Sequence, residues 1–176
     1  GLPLADIDGD GRRDLLECAY NGNGNSTSCT VRRGAAGGGL FAPTAAFSLP
    51  IAANGVALGD FDGDGVVDLL AGLDDDADAG QAWFWAGTQS VGFFGTPVPA
   101  FDVNPTGGVG DVDQPGYGQM APLDVDEDGD LDVIVSVQDP FASTNRTLHL
   151  AINDGSGGFV SSPIGTTVHA FAGPFG

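Results

Sequence analysis

The chain has 176 residues, 41% of them hydrophobic, which is enough for one domain with a sizeable core, and no apolar run approaches the roughly 18 residues that a membrane span needs. Twenty-four acidic residues face five basic ones for a net charge of −19, and all five are arginines: Arg12, Arg13, Arg32, Arg33 and Arg146. Such a surface repels phosphate backbones and anionic membranes, which argues against nucleic acid as a partner and against membrane insertion.

The first residue is Gly1 rather than Met, so the chain reads as a processed product or as a piece of something longer. A short strand over Leu2–Ala5 leads into Asp6-Ile-Asp8-Gly-Asp10-Gly11-Arg-Arg-Asp14. A strand over 14–20 follows, opened by the apolar pair Leu15-Leu16. The Gly/Asn/Ser stretch from Asn21 to Ser28 reads as a long hairpin loop, with a further strand over 30–33. Cys18 and Cys29 flank that loop. A cross-strand disulfide between them would stabilise by up to ~3 kcal/mol and would point to an oxidising compartment; the alternative is a pair of buried free thiols. A Gly-preceded aromatic, Phe41, comes next.

The unit then returns twice. Val56–Gly59 leads into Asp60-Phe-Asp62-Gly-Asp64-Gly65-Val-Val-Asp68, with strands expected over 68–73 and 81–86 and the aromatic at Phe94. Gln119–Leu123 leads into Asp124-Val-Asp126-Glu-Asp128-Gly129-Asp-Leu-Asp132, with strands over 132–138 and 146–152 and the aromatic at Phe159. The last loop aspartate and the aromatic are 27, 26 and 27 residues apart in the three units. Such recurrence marks a repeat architecture, with units over 1–54, 55–117 and 118–176 and four short strands in each. Nineteen residues separate Phe41 from Asp60 but 30 separate Phe94 from Asp124, so the second unit carries an insertion within Asp102–Gly118. Thirty glycines and 11 prolines, with no helical periodicity, argue against helices.

The loops share the pattern D-x-D-x-D-G-x-x-D. A hard divalent cation takes six to eight oxygens at about 2.3–2.6 Å. Alternate residues of a tight turn can aim carboxylates inward from positions 1, 3 and 5. Glycine at 6 permits the bend, position 7 offers its carbonyl, and position 9 returns a carboxylate. The expected ligands are Asp6, Asp8, Asp10, the Arg12 carbonyl and Asp14; Asp60, Asp62, Asp64, the Val66 carbonyl and Asp68; and Asp124, Asp126, Asp128, the Asp130 carbonyl and Asp132. Without a cation, each carboxylate pair at ~4 Å costs about 1 kcal/mol in water and ~4 kcal/mol at a surface-like dielectric. The expectation is Ca²⁺ at three sites; Mg²⁺ dehydrates reluctantly and wants a stricter octahedron. The metal-free alternative is a set of Asx-rich turns capping strands. The loops argue against an EF-hand or a dockerin, because Glu17 holds the EF-hand's twelfth position in the first copy but Ala71 and Val135 hold it in the others, and no amphipathic helix flanks any loop.

These loops, with Gly-Gly-Gly-Leu-Phe (37–41), Gly-Phe-Phe (92–94) and Gly-Ser-Gly-Gly-Phe (155–159), resemble the FG-GAP/VCBS repeat family, the blades of integrin-α-type and bacterial secreted β-propellers. The resemblance implies four-stranded antiparallel blades with calcium between the first two strands. It implies adhesion, carbohydrate recognition or scaffolding rather than one activity. Propellers close with roughly four to eight blades, so the fold expected is all-β: three blades, open or completed by other segments or chains. A larger propeller, a ring of several chains, or a head-to-tail filament all satisfy this. The apolar stretch Val168–Phe175 is expected to pair with a neighbouring chain or with the N-terminal strand.

Trp83, Phe84 and Trp85 alternate along a strand and suit inter-blade packing or, alternatively, a sugar-stacking platform. The insertion, with Asp102, Asn104, Asp111, Asp113 and Tyr117, is a solvated acidic loop or a further binding loop. Asp74, Asp75, Asp76 and Asp78 suit a solvated hairpin tip. His149 suits a strand face, and His169 lacks a metal-spaced partner. Asn25 and Asn145 head N-glycosylation sequons. No nucleophile elbow or phosphate loop is present, so no enzyme is expected. The functional expectation is a secreted, extracellular or cell-surface structural or adhesive module. It would associate with itself or with other blades and reach a glycan or cell-surface partner. The first alternative is a carbohydrate-binding lectin-type propeller, and the second, ranked below it, is a carbohydrate-active enzyme domain.

Overall fold

The computed structural model describes residues 3–20, 27–37, 42–49, 53–73, 81–89, 93–103, 117–138 and 145–168. Among these every regular element is a strand. The first sheet holds β1 (Leu4–Ala5), β2 (Asp14–Tyr20), β3 (Thr27–Arg33) and β4 (Ala42–Leu49). The second holds β5 (Ala53–Gly59), β6 (Asp68–Leu73), β7 (Gln81–Trp85) and β8 (Val98–Asp102). The third holds β9 (Tyr117–Leu123), β10 (Asp132–Gln138), β11 (Asn145–Asn153) and β12 (Phe159–Val168). Each sheet keeps chain order and pairs antiparallel throughout. The opening strands β5 and β9 begin at Ala53 and Tyr117. Phe41, the Asn25 sequon, Asp74 to Asp78, the insertion from 104 to 116, and the segment after Val168, His169 included, lie outside the described residues.

The central position of the second sheet explains its sequence. From Asp68 to Gly72, every residue of β6 is buried. A strand covered on both faces has no polar face to alternate with, hence the unbroken Leu-Leu-Ala-Gly. Leu69, Ala71 and Trp85 enter a core shared with Ile7, Leu16 and Val31 of the first unit. Leu70, Phe84 and Phe101 enter a second core with Val133, Val135 and Ala151 of the third. Phe84 is 7% and Trp85 4% exposed, so of the aromatic trio only Trp83 keeps partial exposure, packed at the edge of the first core. The buried His149 stands opposite Val135 and Pro163, and burial lowers its imidazole pKa.

Cys18 and Cys29 are direct cross-strand partners of β2 and β3 and form a disulfide, S–S 2.08 Å. The free-thiol alternative is thereby settled. The fourth strands carry a feature that the repeat spacing did not reveal. Each slips register where it pairs with the third strand, at Pro43 opposite Arg32, Pro99 opposite Trp83 and Pro163 opposite His149. Proline cannot donate to a ladder, so it is tolerated at a bulge on an outer strand.

Neighbouring sheets meet along their opening strands, β1 against β5 and β5 against β9. The second residue of the first and second loops serves this contact. Ile7 and Phe61 are each 1% exposed. The Phe61 carbonyl accepts from Gly157 N (3.1 Å) and Asn153 Nδ2 (2.7 Å) of the next sheet. Phe159 meets Phe61 edge-on, with ring centroids 5.8 Å apart. The Gly-preceded aromatic of one blade thus fills the loop side of the blade before it. Gly157 sits at φ 78°, and a Cβ there would come within 3.1 Å of the Phe84 ring.

Candidate metal centre

Each D-x-D-x-D-G-x-x-D segment runs between the first and second strands of its sheet, and its backbone is bent by two left-handed residues. Position 6 is Gly11 (φ 82°), Gly65 (83°) and Gly129 (100°), and position 4 is Gly9 (74°), Gly63 (74°) and Glu127 (63°). Of these two bends, the glycine at position 6 of the repeated pattern foretells only the first. Glu127 holds a conformation that costs an L-residue roughly 1–2 kcal/mol.

The turn folds backbone amides onto the carboxylates. The position-1 aspartate accepts from the glycine at 6: Gly11 N to Asp6 Oδ2 at 2.8 Å, Gly65 N to Asp60 Oδ2 at 2.9 Å, Gly129 N to Asp124 Oδ2 at 3.1 Å. The position-5 aspartates Asp10, Asp64 and Asp128 accept from the amides of Arg12, Val66 and Asp130 at 2.9, 2.8 and 2.9 Å. These bonds orient the side chains and leave carboxylate lone pairs to converge.

The position-9 aspartates have a second role that spacing did not disclose. Asp14, Asp68 and Asp132 are each 0% exposed. Asp68 Oδ2 accepts from Phe61 N (2.7 Å) and Asp62 N (3.3 Å), while Oδ1 accepts from Gly87 N (2.6 Å). Asp14 binds the amides of Ile7, Asp8 and Gly34 in the same way, and Asp132 those of Val125 and Asn153. One carboxylate therefore ties the loop to the end of the third strand. Gly34 and Gly87 stand so close that a Cβ would strike the carbonyls of Arg13 and Val67. In the third unit Asn153 Nδ2 instead donates to the matching Leu131 carbonyl at 3.2 Å.

Carboxylate oxygens converge within 4.8 Å of one another in Asp6, Asp8 and Asp10, in Asp60, Asp62 and Asp68, and in Asp124, Asp126 and Asp132. Nine of the twelve expected carboxylates thus meet in threes, while Asp14, Asp64 and Asp128 are held by the amides described above. The clusters strain against their own charge. Partial burial, then repulsion from Asp64 and Asp60, raises the Asp62 pKa. Desolvation and repulsion from Asp128 and Asp132 raise that of Asp126. Burial pushes Asp68 up to about 6 despite its three amide donors. Asp60 Oδ1 is buried and has no hydrogen-bond partner. A carboxylate oxygen enclosed in this way fits a hard cation, and so does the all-oxygen donor set around it.

Residues 5–71, from β1 through both of the first two loops and into β6, match the model of the FG-GAP-like repeat. No curated protein matches the chain.

Proposed function

We propose that this chain, which carries an FG-GAP-like repeat, is a calcium-binding extracellular module, stiffened by its ions and associating through its blade faces in a structural or adhesive role. The observation that carries the metal reading is Asp60 Oδ1, a buried carboxylate oxygen with no partner, because a buried acceptor left unsatisfied costs about 1–3 kcal/mol. Calcium in each loop would take carboxylates from Asp6, Asp8, Asp10 and Asp14, from Asp60, Asp62, Asp64 and Asp68, and from Asp124, Asp126, Asp128 and Asp132. The carbonyls of Arg12, Val66 and Asp130 would add to them. When bound, the ion supplies charge compensation and stiffness. The disulfide agrees with an oxidising, extracellular setting.

Calcium titration by calorimetry tests this. Binding is expected at neutral pH, weakening as the pH falls below about 6, where Asp68 takes up a proton. The sign follows from burial. Protonated Asp68 stabilises the metal-free fold fully below 3.8, and that contribution is lost as pH rises through about 6. Calcium takes the place of that proton, so acid competes with it. No heat of binding at neutral pH and millimolar calcium would sink the reading.

Association draws support from the third loop. Leu123 is 37% and Val125 39% exposed, whereas Ile7 and Phe61, which match Val125 in their loops, are each 1% exposed beneath the following blade. The face that receives a Phe159-type hairpin twice within the chain is thus presented once to solvent. A second copy of the chain suits it. Sedimentation should show concentration-dependent assembly in calcium, abolished by Leu123→Asp with Val125→Asp. A wild type that stays monomeric at high concentration removes this part of the proposal.

A further inference from the structure

The three loops share their aspartates but not their surroundings. In the first, Arg33 Nε lies 2.6 Å from Asp8 Oδ2, and the Arg12 guanidinium pairs with Asp10. Both oxygens of Asp6 accept backbone amides, from Asp10 at 2.9 Å and Gly11 at 2.8 Å. Two of the three carboxylates that converge there, Asp8 and Asp10, are thus paired with an arginine. The second and third loops differ at the matching positions. Val66 and Asp130 stand where the first has Arg12. Ala86 and Ile152, the residues before Gly87 and Asn153, stand where it has Arg33. Asp60 Oδ1, in the second loop, lacks any partner.

Arg33 is built into this position. It ends β3, one residue before the amide of Gly34 that anchors Asp14. Its guanidinium also lies 5.9 Å from the centroid of the Phe93 ring, in a second-unit residue that is 3% exposed. A planar cation held over an aromatic face and against a carboxylate loses little freedom on pairing, and it cannot shed its charge by deprotonation.

We infer that Arg33 is a tethered counter-ion that competes with the metal for the first loop, so that the three sites fill unequally, the second and third first. This rests on the calcium reading above. The metal must displace Arg33 from Asp8 before it gains that carboxylate, whereas among the described residues no arginine holds the oxygens that the other two loops offer. The first loop then responds to calcium at concentrations where the other two are already full, and Arg33 couples that response to Phe93 of the next blade.

Calorimetric titration of the full chain tests the inference. Two tight sites are expected, followed by one weaker by roughly tenfold or more. Arg33→Gln keeps length and polarity but removes the charge. It should tighten the weak site by about two- to fivefold and leave the tight pair in place. Arg33→Lys, which keeps the charge, should retain the weak site. Three indistinguishable sites in the wild type, or a weak site unmoved by Arg33→Gln, overturn the inference while leaving calcium binding intact. Absence of binding in wild type and variants alike overturns both.

Discussion

Asp68→Ala is expected to destabilise the fold by about 3–5 kcal/mol, lowering the melting temperature by roughly 6–20 °C for a chain of this size. The loss should appear with calcium and with EDTA alike. The side chain is fully buried and accepts the amides of Phe61, Asp62 and Gly87. Alanine leaves three donors without an acceptor, each at a cost of about 1–3 kcal/mol, with water relieving the more exposed ones. The same deletion unties the loop from the end of β7, which bears on Phe61 and so on the contact with the third sheet. Asp62→Asn is the informative contrast. Asp62 carries repulsion from Asp60 and Asp64, so in EDTA its neutralisation should leave the melt unchanged or raise it. Circular dichroism melts of both variants in both conditions check this. An Asp68→Ala protein that melts with the wild type in EDTA would show that the amide ladder contributes nothing without metal.

Chelation should lower the melting temperature of the wild type by roughly 10–20 °C. A ligand that binds only the folded state stabilises it by about 2.7 kcal/mol per site at 100 times its Kd. Two tight sites at that excess contribute about 5 kcal/mol, a large part of a domain's usual 5–15 kcal/mol. The removal also leaves converging carboxylates to repel one another in a chain of net charge −19. Added monovalent salt should therefore recover part of the loss in EDTA by screening. Magnesium at the same concentration as calcium should recover less, since it dehydrates reluctantly and demands a stricter octahedron. A melting curve identical with and without EDTA runs against calcium as a structural ion.

Much of the candidate site is legible in the amino-acid sequence. The loops were visible because their chemistry is local. Carboxylates at alternate positions and a glycine at the sixth lie within nine residues, and short-range sterics decide their turn. The strands β2, β6 and β10 were visible for the same reason, each starting at the last loop aspartate with a run of apolar residues. The Cys18–Cys29 pair was placed by the hairpin between two such runs. The fourth strands were less legible. The alanines, serines and prolines of β4, β8 and β12 give no strong alternation, and their prolines speak against a strand until the bulge is seen.

The amino-acid sequence by itself determined three Asp-rich turns, the strands that leave them and the bridge across the first hairpin, because each depends on residues close along the chain or on a recurring period. Only the tertiary structure decided which oxygens those turns leave bare. Asp14 and Asp68 are held by the amides of Gly34 and Gly87, and Asp8 by the side chain of Arg33. Asp60 keeps an unpartnered oxygen. Phe159 reaches back to Phe61 in the preceding blade. Those contacts join residues some 20 to 100 positions apart, where spacing along the chain says nothing of distance in space, and the partner of each charge is set by how the sheets stack.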